Sequence, residues 1–110
     1  MAGKGGIVQI PWYATVLRHH TFEDAIAEIA PVALKYGATA YSVTRNRDDR
    51  YKFLQSATFE RYDDFTAYWE GPEFQEFRFR FGGWFQIPVL YSWNDDVCSG
   101  ETRFADAASN

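Results

Sequence analysis

Apolar and polar positions alternate from Ile7 to Leu17. Val8, Ile10, Trp12, Ala14 and Val16 fall on one face of an extended chain; Ile7, Gln9, Pro11, Tyr13, Thr15 and Leu17 fall on the other. The pattern predicts a strand with one wholly apolar face. Pro11 has no N–H to give a ladder, so an edge position or a bulge is expected there. Arg18-His19-His20 reads as a loop. Thr21 is expected to cap a helix, with Glu23 and Asp24 in its first turn, where negative charge suits the helix dipole. Phe22, Ile26, Ile29, Ala33 and Tyr36 recur at helical spacing and make an apolar stripe. Pro31 interrupts it and predicts a kink, because it removes one intrahelical bond and crowds the carbonyl of Ala27. Gly37 is placed to end the helix.

Ala38 to Arg45 alternates again, with Thr39, Tyr41 and Val43 on one face. The polar turn Asn46-Arg47-Asp48-Asp49-Arg50 leads into a third strand over 51–59. There Tyr51, Phe53, Gln55, Ala57 and Phe59 share a face, and the short connection implies an antiparallel hairpin. A second helical stretch starts at Asp63 or Asp64 and carries Phe65, Tyr68 and Trp69. Gly71-Pro72 breaks it, and Pro72 opens a new helical run to Phe81 that ends at Gly82-Gly83. Ile87 to Trp93 alternates as a last strand, with Ile87, Val89, Tyr91 and Trp93 together.

The order strand, helix, strand, strand, helix, strand is the α+β, ferredoxin-like βαββαβ arrangement: a four-stranded antiparallel sheet with both helices on one face. Residues 1–6, with three glycines, are expected to form a flexible arm; 7–97 the folded domain; 98–110 a weakly apolar, aperiodic tail. The uncovered sheet face would still carry apolar groups, and their burial at roughly 25 cal/mol per Å² favours a homodimer pairing two such faces.

Composition sharpens this picture at one point. Hydrophobic residues are 46% and charged residues 24% of the 110, which argues against disorder, but aromatic residues are 19%. Ten Phe, seven Tyr and four Trp are too many to bury fully in so small a domain, so some are expected to line a cavity or an interface. The net charge of −4 argues against a nucleic-acid partner. No apolar run reaches membrane-spanning length, and the N-terminus lacks a cleavable signal, so a cytoplasmic protein is expected. The single cysteine, Cys98, excludes a disulfide framework and sits in the tail with nothing to activate it.

The segment Phe59-Glu60-Arg61-Tyr62-Asp63-Asp64-Phe65-Thr66-Ala67-Tyr68-Trp69-Glu70-Gly71-Pro72-Glu73-Phe74-Gln75-Glu76-Phe77-Arg78, taken with the element order, resembles the dimeric α+β barrel proteins. It is most similar to their antibiotic biosynthesis monooxygenase branch. The resemblance covers most of residues 8–95 and implies a small-molecule site between sheet and helices. In that branch it implies an oxygenase or isomerase without a cofactor, acting on an aromatic or quinol-like compound; the superfamily also holds non-catalytic binding proteins. The haem-degrading branch is similar at Trp69 but carries a helical histidine shortly after it and an early Asn in the first strand. Here Glu76-Phe77-Arg78-Phe79 contains no histidine and the strand offers Gln9, so no haem or other cofactor is expected.

Chemistry-bearing residues are few. His19 and His20 are the only histidines; one could accept a proton from a phenolic substrate, or both could be solvated loop residues. No third ligand is spaced near them, so no metal site is expected. Trp69, with Phe65 one turn before and Phe77 after, could wall a planar ligand or simply pack. Tyr13, Tyr41 and Tyr91, with Gln9, Gln55 and Ser92, place polar groups within apolar strands, where they serve a ligand or satisfy one another. Arg78, within Phe77-Arg78-Phe79-Arg80-Phe81, could clamp an acidic group or lay its stem over phenyl rings. Arg45, Arg47 and Arg50 alternate with Asp48 and Asp49 and read as a self-neutralising hairpin tip.

Overall fold

Strand β1 (Gly6–Tyr13) lies inside a four-stranded antiparallel sheet of order β2-β3-β1-β4, in a computed structural model that describes residues 5–102. The other strands are β2 (Ala38–Arg45), β3 (Lys52–Phe59) and β4 (Ser92–Asn94). The helices are α1 (His19–Ile29), α2 (Tyr62–Trp69) and α3 (Pro72–Arg80), with a 3₁₀ helix over Pro31–Tyr36. This is the expected ferredoxin-like topology. Residues 1–4 of the expected arm and 103–110 of the expected tail lie outside the described residues, and Gly6 already belongs to β1.

The two long strands obey their period. Val8, Ile10 and Trp12 of β1 are fully buried, and so are Phe53, Gln55, Ala57 and Phe59 of β3, apart from traces of exposure. Trp12 meets Phe22 of α1 and Phe74 and Phe77 of α3; Phe59 meets Phe65 of α2. All three helices therefore cover that face. The opposite face carries Ile7, Gln9, Pro11 and Tyr13 beside Thr58, Ser56, Leu54 and Lys52.

Pro11 sits in an inner strand and still finds an edge. Ala14 donates its N–H to Tyr51 O, so even-numbered backbone groups of β1 face β3 and odd-numbered groups face the other way. On that other side β4 pairs only with residues 7–9, and Gln86 N donates to Tyr13 O. Between these contacts stands Pro11, with no N–H to offer. Residues 87–91 leave the ladder there, which corrects the expected strand 87–93 to the three residues 92–94. Ile87 and Leu90 stand 80% and 71% exposed as a result.

Three further boundaries move. The first strand stops at Tyr13 rather than Leu17: Ala14 bridges Phe85, Arg18 N donates to Thr15 O in a turn, and Val16 and Leu17 are exposed, Leu17 at φ 69°. Helix α1 begins at His19, since Phe22 N already donates to Arg18 O; Thr21 is inside the first turn and its hydroxyl returns to the Arg18 carbonyl instead of capping. The first turn holds no acidic residue, so Glu23 and Asp24 lie one turn too late to serve the dipole as expected. Pro31 does not kink a continuous helix. It ends α1 and starts the tighter 3₁₀ turn, in which Ala33 N donates to Ala30 O. Gly37 closes that turn at φ 98°, a value that favours glycine.

The centre of the core is polar and satisfied. Trp12 Nε1 donates to Gln55 Oε1 (3.0 Å), Gln55 Nε2 to the Tyr68 hydroxyl (2.9 Å), and Tyr68 to the Ile29 carbonyl (2.6 Å). Gln55 is the one buried polar side chain among the described residues, and its amide is used at both ends. Burial pushes the Tyr68 hydroxyl far above its ordinary pKa, so it stays a donor.

Candidate functional site

The residues expected to form one site are scattered over the molecule. Tyr13 is on the open sheet face, its ring under the Lys52 ammonium at 5.5 Å. Tyr41 is on edge strand β2, opposite Ala57 and half-exposed. Phe77 is buried in the core against Trp12 and Phe85. Gln9 and Ser92 face each other in the β1–β4 ladder, and Gln55 is structural. Two groups remain together, at opposite ends of the sheet.

At the Phe59 end, Phe65, Trp69 and Tyr91 form one aromatic group: Phe65 to Tyr91 is 4.8 Å and Trp69 to Tyr91 is 5.3 Å between ring centroids. Arg78 lies over it, its guanidinium 4.7 Å from the Trp69 ring centroid and 5.1 Å from that of Phe74. Its Nη1 is buried without a partner, and burial lowers the guanidinium's pKa, against the nearby Glu70. Inward of this group, Trp12, Phe22, Phe53, Phe74, Phe77 and Phe85 touch one another and fill the space between sheet and helices.

At the Lys52 end, the first turns of α1 face the β2–β3 hairpin across a cleft of about 440 Å³. His19, His20, Glu23, Arg45, Asn46, Arg47 and Arg50 line it. The earlier start of α1 puts both histidines on a helix rather than in a loop. Their rings stack at 4.2 Å, and His19 meets the edge of Tyr51 at 4.7 Å. Both ring nitrogens of His19 are buried and unpartnered. Burial lowers its pKa; the charges of His20, Arg50 and Arg45 push the same way, and Glu23 opposes them. His19 is therefore biased towards its neutral form, with both ring nitrogens unpartnered and covered, beside cations.

The arginines of this cleft were the missed feature. Arg45 pairs with Glu23 across to α1. Arg47 and Arg50 form no ion pair among the described residues. Asp49 instead accepts the Tyr51 N–H, and the Asp48 and Asp49 amides are held by Asn46 Oδ1. A signal existed in the sequence: Asn46 two and three residues before an Asp pair marks a side-chain-closed turn, whose shape sets where the arginines on either side of it stand. No three of His, Cys, Asp and Glu come together among the described residues, and Cys98 is exposed. No described helix is long and apolar enough to cross a membrane.

No family model and no curated protein matches the sequence. Solved structures do. A Nitrosomonas europaea protein provisionally named an antibiotic biosynthesis monooxygenase superposes with a TM-score of 0.77 at 13% identity, over 88% of this chain and 94% of that one. SnoaB, a cofactor-independent oxygenase from Streptomyces nogalater, gives 0.74 at 13%, over 87% and 96%. A Bordetella bronchiseptica protein with the same provisional name gives 0.71 at 20%, over 84% and 99%. The chain has the fold of the antibiotic biosynthesis monooxygenase structures, as its sequence resemblance implied. At these identities the likeness is one of fold.

Proposed function

We propose that the chain is an oxygenase requiring no bound cofactor, acting on an aromatic or quinol-like small molecule, with its chemistry at the His19–His20 cleft. The observation that carries this reading is His19: a neutral imidazole with two unpartnered nitrogens on the wall of an open cleft. It takes the proton of an acidic substrate hydroxyl, and the cations beside it stabilise the resulting oxyanion. The electron-rich ring carbon then reacts with dioxygen. In the net change a ring CH₂ of the keto tautomer becomes C=O, one oxygen atom staying and the other leaving as water with both hydrogens. His19→Ala should lower turnover about 10²–10⁴-fold with folding intact, and His20→Ala less. Full turnover in the His19 variant removes the histidine from the mechanism.

A second reading, a non-catalytic ligand-binding or accessory protein of the same fold, is favoured by the filled interior: aromatic rings and the Trp12–Gln55–Tyr68 chain occupy the space between the layers. Ligand binding at the cleft without oxygen consumption for any quinol tested would select it. In either reading we expect a cytoplasmic homodimer joined by the open sheet face. Ile7, Pro11, Tyr13 and Leu54 supply its apolar area, and exposed Cys98 suits a reducing compartment. Sedimentation of Leu54→Glu should report a monomer; an unchanged dimer would move the interface elsewhere.

A further inference from the structure

The His19 cleft has a charge pattern that a neutral hydroxyl compound does not explain. The chain carries a net −4, yet its lining holds three arginines against one glutamate, and that glutamate is taken by Arg45. Among the described residues Arg47 and Arg50 form no ion pair, and the Asp49 carboxylate of their hairpin is turned to the Tyr51 amide. A planar guanidinium fork matches a carboxylate, and two of them on one short loop can hold one carboxylate from both sides. The stacked histidines, which line the same cleft, offer ring faces and edges next to that position. The volume of about 440 Å³ is far more than an inorganic oxyanion needs and falls within the range of drug-sized sites.

We infer that the cleft recognises an aryl carboxylate: Arg47 and Arg50 hold the carboxylate, and the ring lies against His19 and His20. The inference rests on the proposed function for the location of the site only. It adds a specificity that a quinol oxygenase does not require, and it makes Arg47 and Arg50 the residues that select among aromatic substrates. It also links binding to a proton. The groups facing His19 are His20 and Glu23 on α1, Arg45 on β2, and Arg50 and Tyr51 just before β3. A bound carboxylate adds a negative charge among these cations, so the titration midpoint of His19 moves up on binding.

The test is calorimetric titration of the full chain at neutral pH with 2-naphthoate, 2-naphthol and inorganic phosphate, with the His19 Cε1–H resonance followed through a pH series. The expected result is 2-naphthoate binding at least about tenfold tighter than either other probe, with an upward shift of the His19 midpoint. The double variant Arg47→Gln/Arg50→Gln, at an exposed turn, should erase the preference and leave the melting temperature unchanged. Equal affinity for naphthoate and naphthol, phosphate binding as tight as naphthoate, or a preference that survives the double variant each overturns the inference. Oxygen uptake is scored separately. A carboxylate preference without turnover sustains the inference and removes the oxygenase reading; turnover of 2-naphthol-like quinols without that preference does the reverse.

Discussion

The two ends of the sheet are made of different materials. At the Phe59 end, Phe65, Trp69, Tyr91 and Trp93 lean on one another, and Phe65 is fully buried. At the Lys52 end, about 25 Å along an eight-residue strand, the corresponding space is open and lined by histidines and arginines. The first end removes apolar surface from water and holds the layers together. The second leaves the ring nitrogens of His19 unpartnered, as Arg78 Nη1 is at the first, and holds two exposed arginines with no ion pair among the described residues, which adds nothing to the cohesion of the layers. Stability and recognition are thus carried by separate ends, with the Trp12–Gln55–Tyr68 chain between them.

Substitutions can break this division. Phe65→Ala should cost about 3–5 kcal/mol in urea denaturation, the range for a large aromatic removed from a core, while affinity at the cleft stays unchanged in the folded fraction. A parallel loss of affinity would mean the ends are coupled. His19→Ala should show the inverse: turnover falls as given above, and the urea midpoint moves far less than for Phe65→Ala, because no hydrogen bond is lost. Between the ends, Tyr68→Phe removes the hydroxyl that Gln55 and the Ile29 carbonyl share, and should destabilise by about 1–3 kcal/mol.

Acid unfolding sharpens the same contrast. His19 has a lowered pKa in the folded protein, so its contribution is complete above the unfolded value of 6.5 and declines as the pH falls below it. Glu73, in the first turn of α3, is held down to about 2 by hydrogen bonds from Tyr36 and Lys35. Its contribution is complete above the unfolded 4.5 and is lost only as the pH falls from there towards 2. Unfolding midpoints measured against pH should therefore show two segments. His19→Gln should flatten the upper one and Glu73→Gln the lower; a single transition unaffected by either variant would sink the assignment.

Much of the aromatic end was legible along the chain. Phe65 and Trp69 at helical spacing, and Gly71-Pro72 as the break before α3, identify a packed helix pair without reference to any partner. Phe53, Gln55, Ala57 and Phe59 followed their period because one face of β3 is wholly covered. The cleft was not legible in the same way. Its two histidines were singled out, but their meaning depended on whether α1 begins at His19 or Thr21, and that was decided by Phe22 closing on Arg18. Its arginines were noticed and set aside, because local charge balance does not say which carboxylates are already occupied by backbone amides.

The sequence by itself determined the element order, the buried faces of β1 and β3 and the stops of α2 at Gly71-Pro72 and of α3 before Gly82-Gly83, since these follow from period, proline and glycine acting over a few residues. Only the tertiary structure decided that Pro11 lies within the sheet and turns residues 87–91 out of it. It alone separated Tyr13, Tyr41 and Phe77 from the aromatic group, and it alone brought Arg45, Arg47 and Arg50 to His19. Those outcomes depend on strand order and register, which are settled by how distant faces pack, and no local pattern encodes them.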